Sequence, residues 1–216
     1  MVLKTFWDTC KQYRWKIISR FLKAGGRRFG IISESFYLLK LDSSQFVSAF
    51  NISATKIVEI KNIDSYDLSV FKFPNKKIEL FRNRIDSGAY SCYGYMRDDQ
   101  IVYITWVSWK TMNYPSFFGI VENLDETQAL LEDSYCLPDY RGRGIHSEMN
   151  KYRLREVFSR AKKEVFVLIL KENAPAIKAQ IKCGFKVDSV IIFRKIFNNK
   201  RIIKKAYGNP RRSSLF

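Results

Sequence analysis

Residues 128–147 read Gln128-Ala129-Leu130-Leu131-Glu132-Asp133-Ser134-Tyr135-Cys136-Leu137-Pro138-Asp139-Tyr140-Arg141-Gly142-Arg143-Gly144-Ile145-His146-Ser147. Three signals follow one another here. Thr127–Leu137 has the composition of a strand, and Pro138 stops it. A turn with two glycines comes next. Ile145–Lys162 then carries apolar residues at helical spacing, Met149, Tyr152, Leu154, Val157 and Phe158. Glycine at 142 and 144 lets backbone approach a ligand closely. The first N–H groups of the helix lack internal partners and sit at its positive dipole end. Strand, glycine turn and helix N-terminus in this order bind phosphate, and Arg141 and Arg143 add cationic donors.

Two other phosphate motifs fail on these residues. A dinucleotide turn needs a third glycine, and Ser147 stands after Gly142-x-Gly144. A P-loop needs Gly-Lys-Ser/Thr, which is absent from the stretch. The plain alternative is a basic loop with two turn glycines.

Outward from the turn the pattern alternates. Val165–Leu170 is a continuous apolar run of strand length, expected to be buried on both faces. Asn173–Lys182 reads as a second helix ended by Gly184, and Val187–Phe197 as a last strand. Upstream, Ala89–Met96 and Gln100–Trp109 form an expected hairpin about Arg97-Asp98-Asp99. Short strands are expected over residues 36–42 and 58–61, and two short helices between Asp64 and Ile85, with Pro74 breaking them and Asn75 as a cap. The fold class is α/β in the mixed α+β sense, a central sheet flanked by helices.

Leu3, Phe6, Trp7, Cys10, Ile17, Ile18, Phe21 and Leu22 recur at helical spacing opposite a Lys/Arg-rich face. Residues 1–28 are therefore an expected amphipathic basic helix, which either lies on an anionic membrane surface or packs on the domain. Residues 36–197 form the expected domain and 198–216 a basic tail. Thirty-eight Lys and Arg against 21 Asp and Glu give a formal charge of +17. That excess suits polyanionic partners: phosphate-bearing ligands, an anionic membrane, or nucleic acid. The 46% hydrophobic content excludes disorder as the main state. Cys10, Cys92, Cys136 and Cys183 show no CxxC pair, so no metal site is expected. The thiols are expected reduced and the protein cytoplasmic, peripheral on the inner membrane face if the first helix binds there.

The stretch resembles the central motif of the GNAT acyltransferase superfamily, Arg/Gln-x-x-Gly-x-Gly/Ala at the start of a helix, here Arg141-Gly142-Arg143-Gly144-Ile145-His146. That superfamily's next motif, a strand, an Asn, a helix and Gly-Phe, has its counterpart in residues 165–170, Asn173-Ala174-Pro175-Ala176-Ile177 and Gly184-Phe185. The resemblance covers residues 128–196 well and residues 57–109 more weakly. It implies a mostly antiparallel sheet splayed at its middle, with acetyl-CoA or another acyl-CoA in the splay. Cys136 and Leu137 would pair with the pantetheine arm, residues 142–147 (Gly142, Arg143, Gly144, Ile145, His146, Ser147) and Arg141 would hold the pyrophosphate, and Asn173 would line the far side. The implied activity is N-acyl transfer, most simply N-acetyl transfer, to a primary amine. An amino sugar nucleotide or lipid-linked sugar fits the basic and aromatic surroundings, as in envelope polysaccharide biosynthesis. A non-catalytic acyl-CoA-fold module binding nucleic acid or membrane is the other reading.

Two positions depart from the pattern. His146 stands where a small residue is usual and is expected to touch cofactor, not to act as base. Gln180 stands where a tyrosine often serves as general acid, and glutamine has no proton to give usefully. A general base must then come from elsewhere. Strand alternation puts Glu132, Ser134 and Cys136 on one face and Asp133 and Tyr135 on the other. Glu132 is the first candidate base, Asp133 the second, and Tyr135 the candidate acid. The aromatic residues from Trp106 to Tyr114 are expected either in the core or bordering the acceptor cleft.

Overall fold

The computed structural model describes residues 31–46, 56–115 and 118–207. The amphipathic helix expected over residues 1–28 lies outside the described residues, as does the end of the tail. The chain divides into two compact units, residues 37–188 and residues 1–36 with 189–216.

The larger unit holds strands β1 (Ile31–Asp42, from Tyr37 on), β2 (Ile57–Glu59), β3 (Tyr90–Arg97), β4 (Gln100–Ser108), β7 (Gln128–Cys136) and β8 (Glu164–Leu170) in the spatial order β1-β8-β7-β4-β3-β2. β5 (Thr111–Asn113) and β6 (Val121–Asn123) make a separate antiparallel pair. The hairpin β3–β4 turns at Asp98 and Asp99, both left-handed at φ 49° and 60°, a conformation Asp tolerates through its short polar side chain. Pairs β2–β3, β3–β4 and β4–β7 are antiparallel, and β7–β8 is parallel.

Side chains of β4 are buried on both faces because helices cover both. Tyr103 and Val107 join a cluster with Met149, Leu154 and Val157 of α2 (Ile145–Ser159) and Phe185. Ile104 and Trp106 join a second cluster with Phe81 of α1 (Asn75–Asp86). Between Asp64 and Ile85 there are two 3-10 turns, residues 63–65 and 69–71, and one α-helix in place of two short ones. Pro74 is that helix's N-cap and Asn75 its first residue, because proline costs nothing where the N–H would be unpaired.

β8 alternates instead of being buried on both faces. Val165, Val167 and Ile169 are buried, while Phe166, Leu168 and Leu170 are half-buried. The reason lies in its pairing. The β7–β8 ladder runs from Gln128↔Glu164 only to Leu131↔Val167. Beyond that register both strands continue without each other, and the sheet splays. α3 (Ala174–Lys182) follows β8, with Asn173 Oδ1 accepting from the Ala176 N–H as its cap. Gly184 ends it at φ +95°.

In the smaller unit, the end of β9 (Lys186–Ile196) and β10 (Asn199–Ala206) form an antiparallel hairpin. The segment expected as a basic tail thus opens with a strand. Phe36 meets Phe193 edge-on at 5.3 Å, and Ile191 is buried.

Candidate functional site

The splay opens into a cleft of about 1380 Å³, lined from β7, the turn after it, α2, β8 and α3. Ligand pockets for compact molecules are roughly 300–1,000 Å³, so this space suits an extended ligand. At its mouth Gly142 and Gly144 have φ of +75° and +80°. A Cβ at either would meet open space, so conformation and not crowding requires glycine there. Gly144 is the N-cap of α2 and offers no side-chain cap, so the amides of Ile145, His146 and Ser147 keep their outward-facing role. Arg141 turns back and donates from Nε to the Cys136 carbonyl at 3.2 Å. Arg143 lies over the Tyr140 ring at 5.3 Å.

Deeper in, β7 carries a bulge. Ile104 pairs with Tyr135 and Trp106 with Glu132, so Thr105 faces both Asp133 and Ser134. Asp133 takes the extra step at φ +44°, and the Thr105 and Ser134 hydroxyls meet at 2.8 Å. The bulge breaks the alternation expected from a regular strand. Glu132 is turned to the same side as Asp133 and Tyr135, toward α1, instead of sharing a face with Cys136. Arg84 of α1 binds both carboxylates, Glu132 Oε1 at 3.1 Å and Asp133 Oδ2 at 2.6 Å. Lys77 reaches Asp133 Oδ2 at 3.2 Å, and the Tyr135 hydroxyl donates to Asp133 Oδ1 at 3.1 Å. Asn113 donates to Glu132 at 3.5 Å.

The two carboxyls differ electrostatically. Burial pushes the Glu132 carboxyl up to about 7, against the pull of Arg84. Burial also raises Asp133, but Arg84 and Lys77 together outweigh it and hold Asp133 below the ordinary carboxylate range. Burial, then Asp133, raises the Tyr135 phenol. Near neutral pH the group able to take a proton is Glu132.

His146 sits in a chain of hydrogen bonds whose polarity Arg153 fixes. Arginine only donates, so Nη2 of Arg153 donates to Asn150 Oδ1. The Asn150 amide then donates to His146 Nε2 at 3.2 Å, and His146 Nδ1–H donates to the Tyr103 hydroxyl at 2.5 Å. Burial, helped by Arg153, pushes His146 down to about 4. Both its nitrogens are engaged and it is neutral, so it has no lone pair for an incoming amine. Arg153 Nε and Gln180 Oε1, both buried and both lining the cleft, have no hydrogen-bond partner among the described residues.

No family model matches the sequence, and no curated protein does. Solved structures match in fold. A Drosophila protein superposes with TM-score 0.56 at 14% identity, over 84% of this chain and 57% of its own. A putative GNAT-family acetyltransferase from Novosphingobium aromaticivorans gives 0.53 at 14%, over 77% and 66%. A GNAT-family acetyltransferase from Colwellia psychrerythraea gives 0.53 at 11%, over 76% and 56%. The fold is that of the GNAT acetyltransferases. The chain spans between 56% and 66% of the length of these three structures.

Within the GNAT fold the cleft gathers Glu132, Asp133, Tyr135, Cys136, Leu137, Arg141, Gly142, Gly144, Ile145, His146, Ser147 and Asn173. Arg143 stays outside it, on Tyr140. Asn173 lines it while its Oδ1 serves as the helix cap. The Leu137 N–H is already given to the Val102 carbonyl at 3.0 Å, which leaves that amide to β4 and not to a ligand. Aromatic residues between Trp106 and Tyr114 do not border the cleft. Trp106 and Tyr114 are buried, and Trp109 packs under Arg160 at 4.3 Å. The aromatic wall comes instead from Phe71 and Phe73, stacked at 5.1 Å, with Tyr135 edge-on to Phe73 at 4.9 Å. Phe71, Phe73, Lys77, Arg84 and Arg153 were invisible to sequence reasoning. Only the basic, amphipathic character of residues 75–86 hinted that α1 faces something charged.

Proposed function

We propose that this protein is an acyl-CoA-dependent N-acyltransferase that acts on a primary amine. The observation that carries the reading is the placement of a near-neutral carboxyl, Glu132, in the same cleft as an uncapped helix N-terminus behind a two-glycine turn. The turn suits the pyrophosphate of CoA, and the unpaired ends of β7 and β8 leave room for the pantetheine arm. The GNAT fold supports this assignment. Glu132 takes a proton from the amine, the amine nitrogen attacks the thioester carbonyl, the C–N bond forms, and the C–S bond breaks. We assign Tyr135 as proton source for the departing thiolate, in place of Gln180. Asp133 is a positioning residue, since its charge is committed to Arg84 and Lys77.

The acceptor class we favour is an amino sugar, free or carried on a nucleotide or lipid. The Phe71–Phe73 wall supports it, because stacked rings beside a carboxylate suit a sugar that bears a cationic amine. The test is free-thiol release from acetyl-CoA against a panel of primary amines that includes amino sugars. Amine-dependent release, reduced 10²- to 10⁴-fold in Glu132→Gln, is expected for a general base. Cofactor binding with no amine-dependent release would instead make the chain a binding module.

A further inference from the structure

Arg153 stands two turns beyond His146 on α2, is 1% exposed, and lines the cleft. Nη1 donates to the Trp106 carbonyl at 3.1 Å and Nη2 to Asn150 Oδ1, while Nε has no hydrogen-bond partner among the described residues. None of the ion pairs among the described residues includes it. The titratable groups coupled to it are Tyr103, Cys183, Tyr93 and the neutral His146, and none is a carboxylate. A buried cation without a counter-ion is strongly unfavourable. Holding the Trp106 carbonyl does not explain it, because a neutral amide would do the same.

Its position along the cleft indicates what the missing counter-ion is. Trp106, whose carbonyl it holds, pairs with Glu132 in the sheet register. Arg153 is seven residues past His146, roughly 10 Å down the helix axis from the turn. Glu132, on the α1 side of β7, and Arg153, on the α2 side, are therefore at one level along the strands, and both line the cleft. An acyl-CoA with its pyrophosphate at the turn and its thioester beside Glu132 brings its acyl group to the level of Arg153.

We propose that Arg153 selects an acyl group that ends in a carboxylate, of the malonyl or succinyl class, with the free Nε–H edge of its guanidinium as the anchor. This rests on the acyltransferase reading above. In the transfer, the amine nitrogen forms the new amide bond, its proton passes to Glu132, and the C–S electron pair leaves with CoA. The terminal carboxylate is unchanged, so a cationic amine becomes an amide that carries a negative charge.

Stable thioethers separate the possibilities by calorimetry on the full chain: CoA, S-propyl-CoA, and S-(2-carboxyethyl)-CoA. The carboxylated thioether is expected to bind at least tenfold more tightly than the propyl one. Arg153→Met should abolish that ratio, and Arg153→Lys should restore part of it. Should Arg153→Met fail to fold, judged by circular dichroism, the ratio in the unaltered protein decides alone. Equal or tighter binding of the propyl thioether, with CoA also binding, overturns the proposal and leaves the acyltransferase reading standing. No binding of any of the three overturns both.

Discussion

Glu132 and Asp133 are neighbours in the chain and share Arg84, yet their carboxyls move in opposite directions. Asp133 has a second cation in Lys77, whereas Glu132 has burial and a weak contact from Asn113. The sign of the consequence for stability follows. A carboxyl raised in the folded state contributes stability that is complete below its unfolded value, near 4.3, and lost as pH rises through about 7. Glu132→Gln should therefore match the parent in denaturant unfolding near pH 4 and exceed it above pH 8, by up to on the order of 3 kcal/mol. Arg84→Met should do the reverse, costing about 3–5 kcal/mol at pH 8 because it strands two carboxylates in a half-buried site. The identities of Glu132, Asp133 and Tyr135 were readable as candidates from the strand that carries them. The reading of Asp133 as a positioning residue and not a second base was not. It depends on Arg84 and Lys77, 48 and 56 residues earlier in the chain from the carboxylates they bind, and no local pattern records such a distant pairing.

At the level of elements, the β7–turn–α2 unit was legible because each part has a local cause. Pro138 ends the strand, two glycines supply positive φ, and apolar spacing marks the helix. The β7 bulge was not legible, since Asp133 is not a residue that announces a left-handed conformation, and without it period-two alternation assigns Glu132 to the wrong face. Gly144→Ala tests the turn directly. With open space for the methyl group, only the backbone cost applies, about 1–2 kcal/mol for a left-handed alanine. We expect that loss in denaturant unfolding, together with weaker acetyl-CoA binding by calorimetry as the helix amides shift. Asn173→Ala should remove the cap of α3 at a cost of about 1 kcal/mol, read by the same unfolding measurement.

Over the whole molecule, the α/β class followed from the order of periodic segments, and the splayed sheet was what the resemblance carried by the two motifs implied. The excess of positive charge, by contrast, did not locate a site, because charge counts carry no positions. The described lining of the cleft carries five of the 38 Lys and Arg, Lys72, Arg141, Arg153, Lys178 and Lys182, while Lys77 and Arg84 act on it through the carboxylates they bind. If the cleft holds acyl-CoA only in the folded state, ligand must stabilise the chain. Acetyl-CoA at 100 times its dissociation constant should add about 2.7 kcal/mol, which is roughly 5–10 °C in a thermal melt of a chain this size. The most direct measurement is the pH dependence of kcat/KM for amine-dependent thiol release from acetyl-CoA. In the parent it should rise with pH through an ionisation near 7, that of Glu132. In Glu132→Gln the limb should vanish and the plateau fall 10²- to 10⁴-fold. An unchanged profile and rate in Glu132→Gln would contradict the assignment of Glu132 as the base.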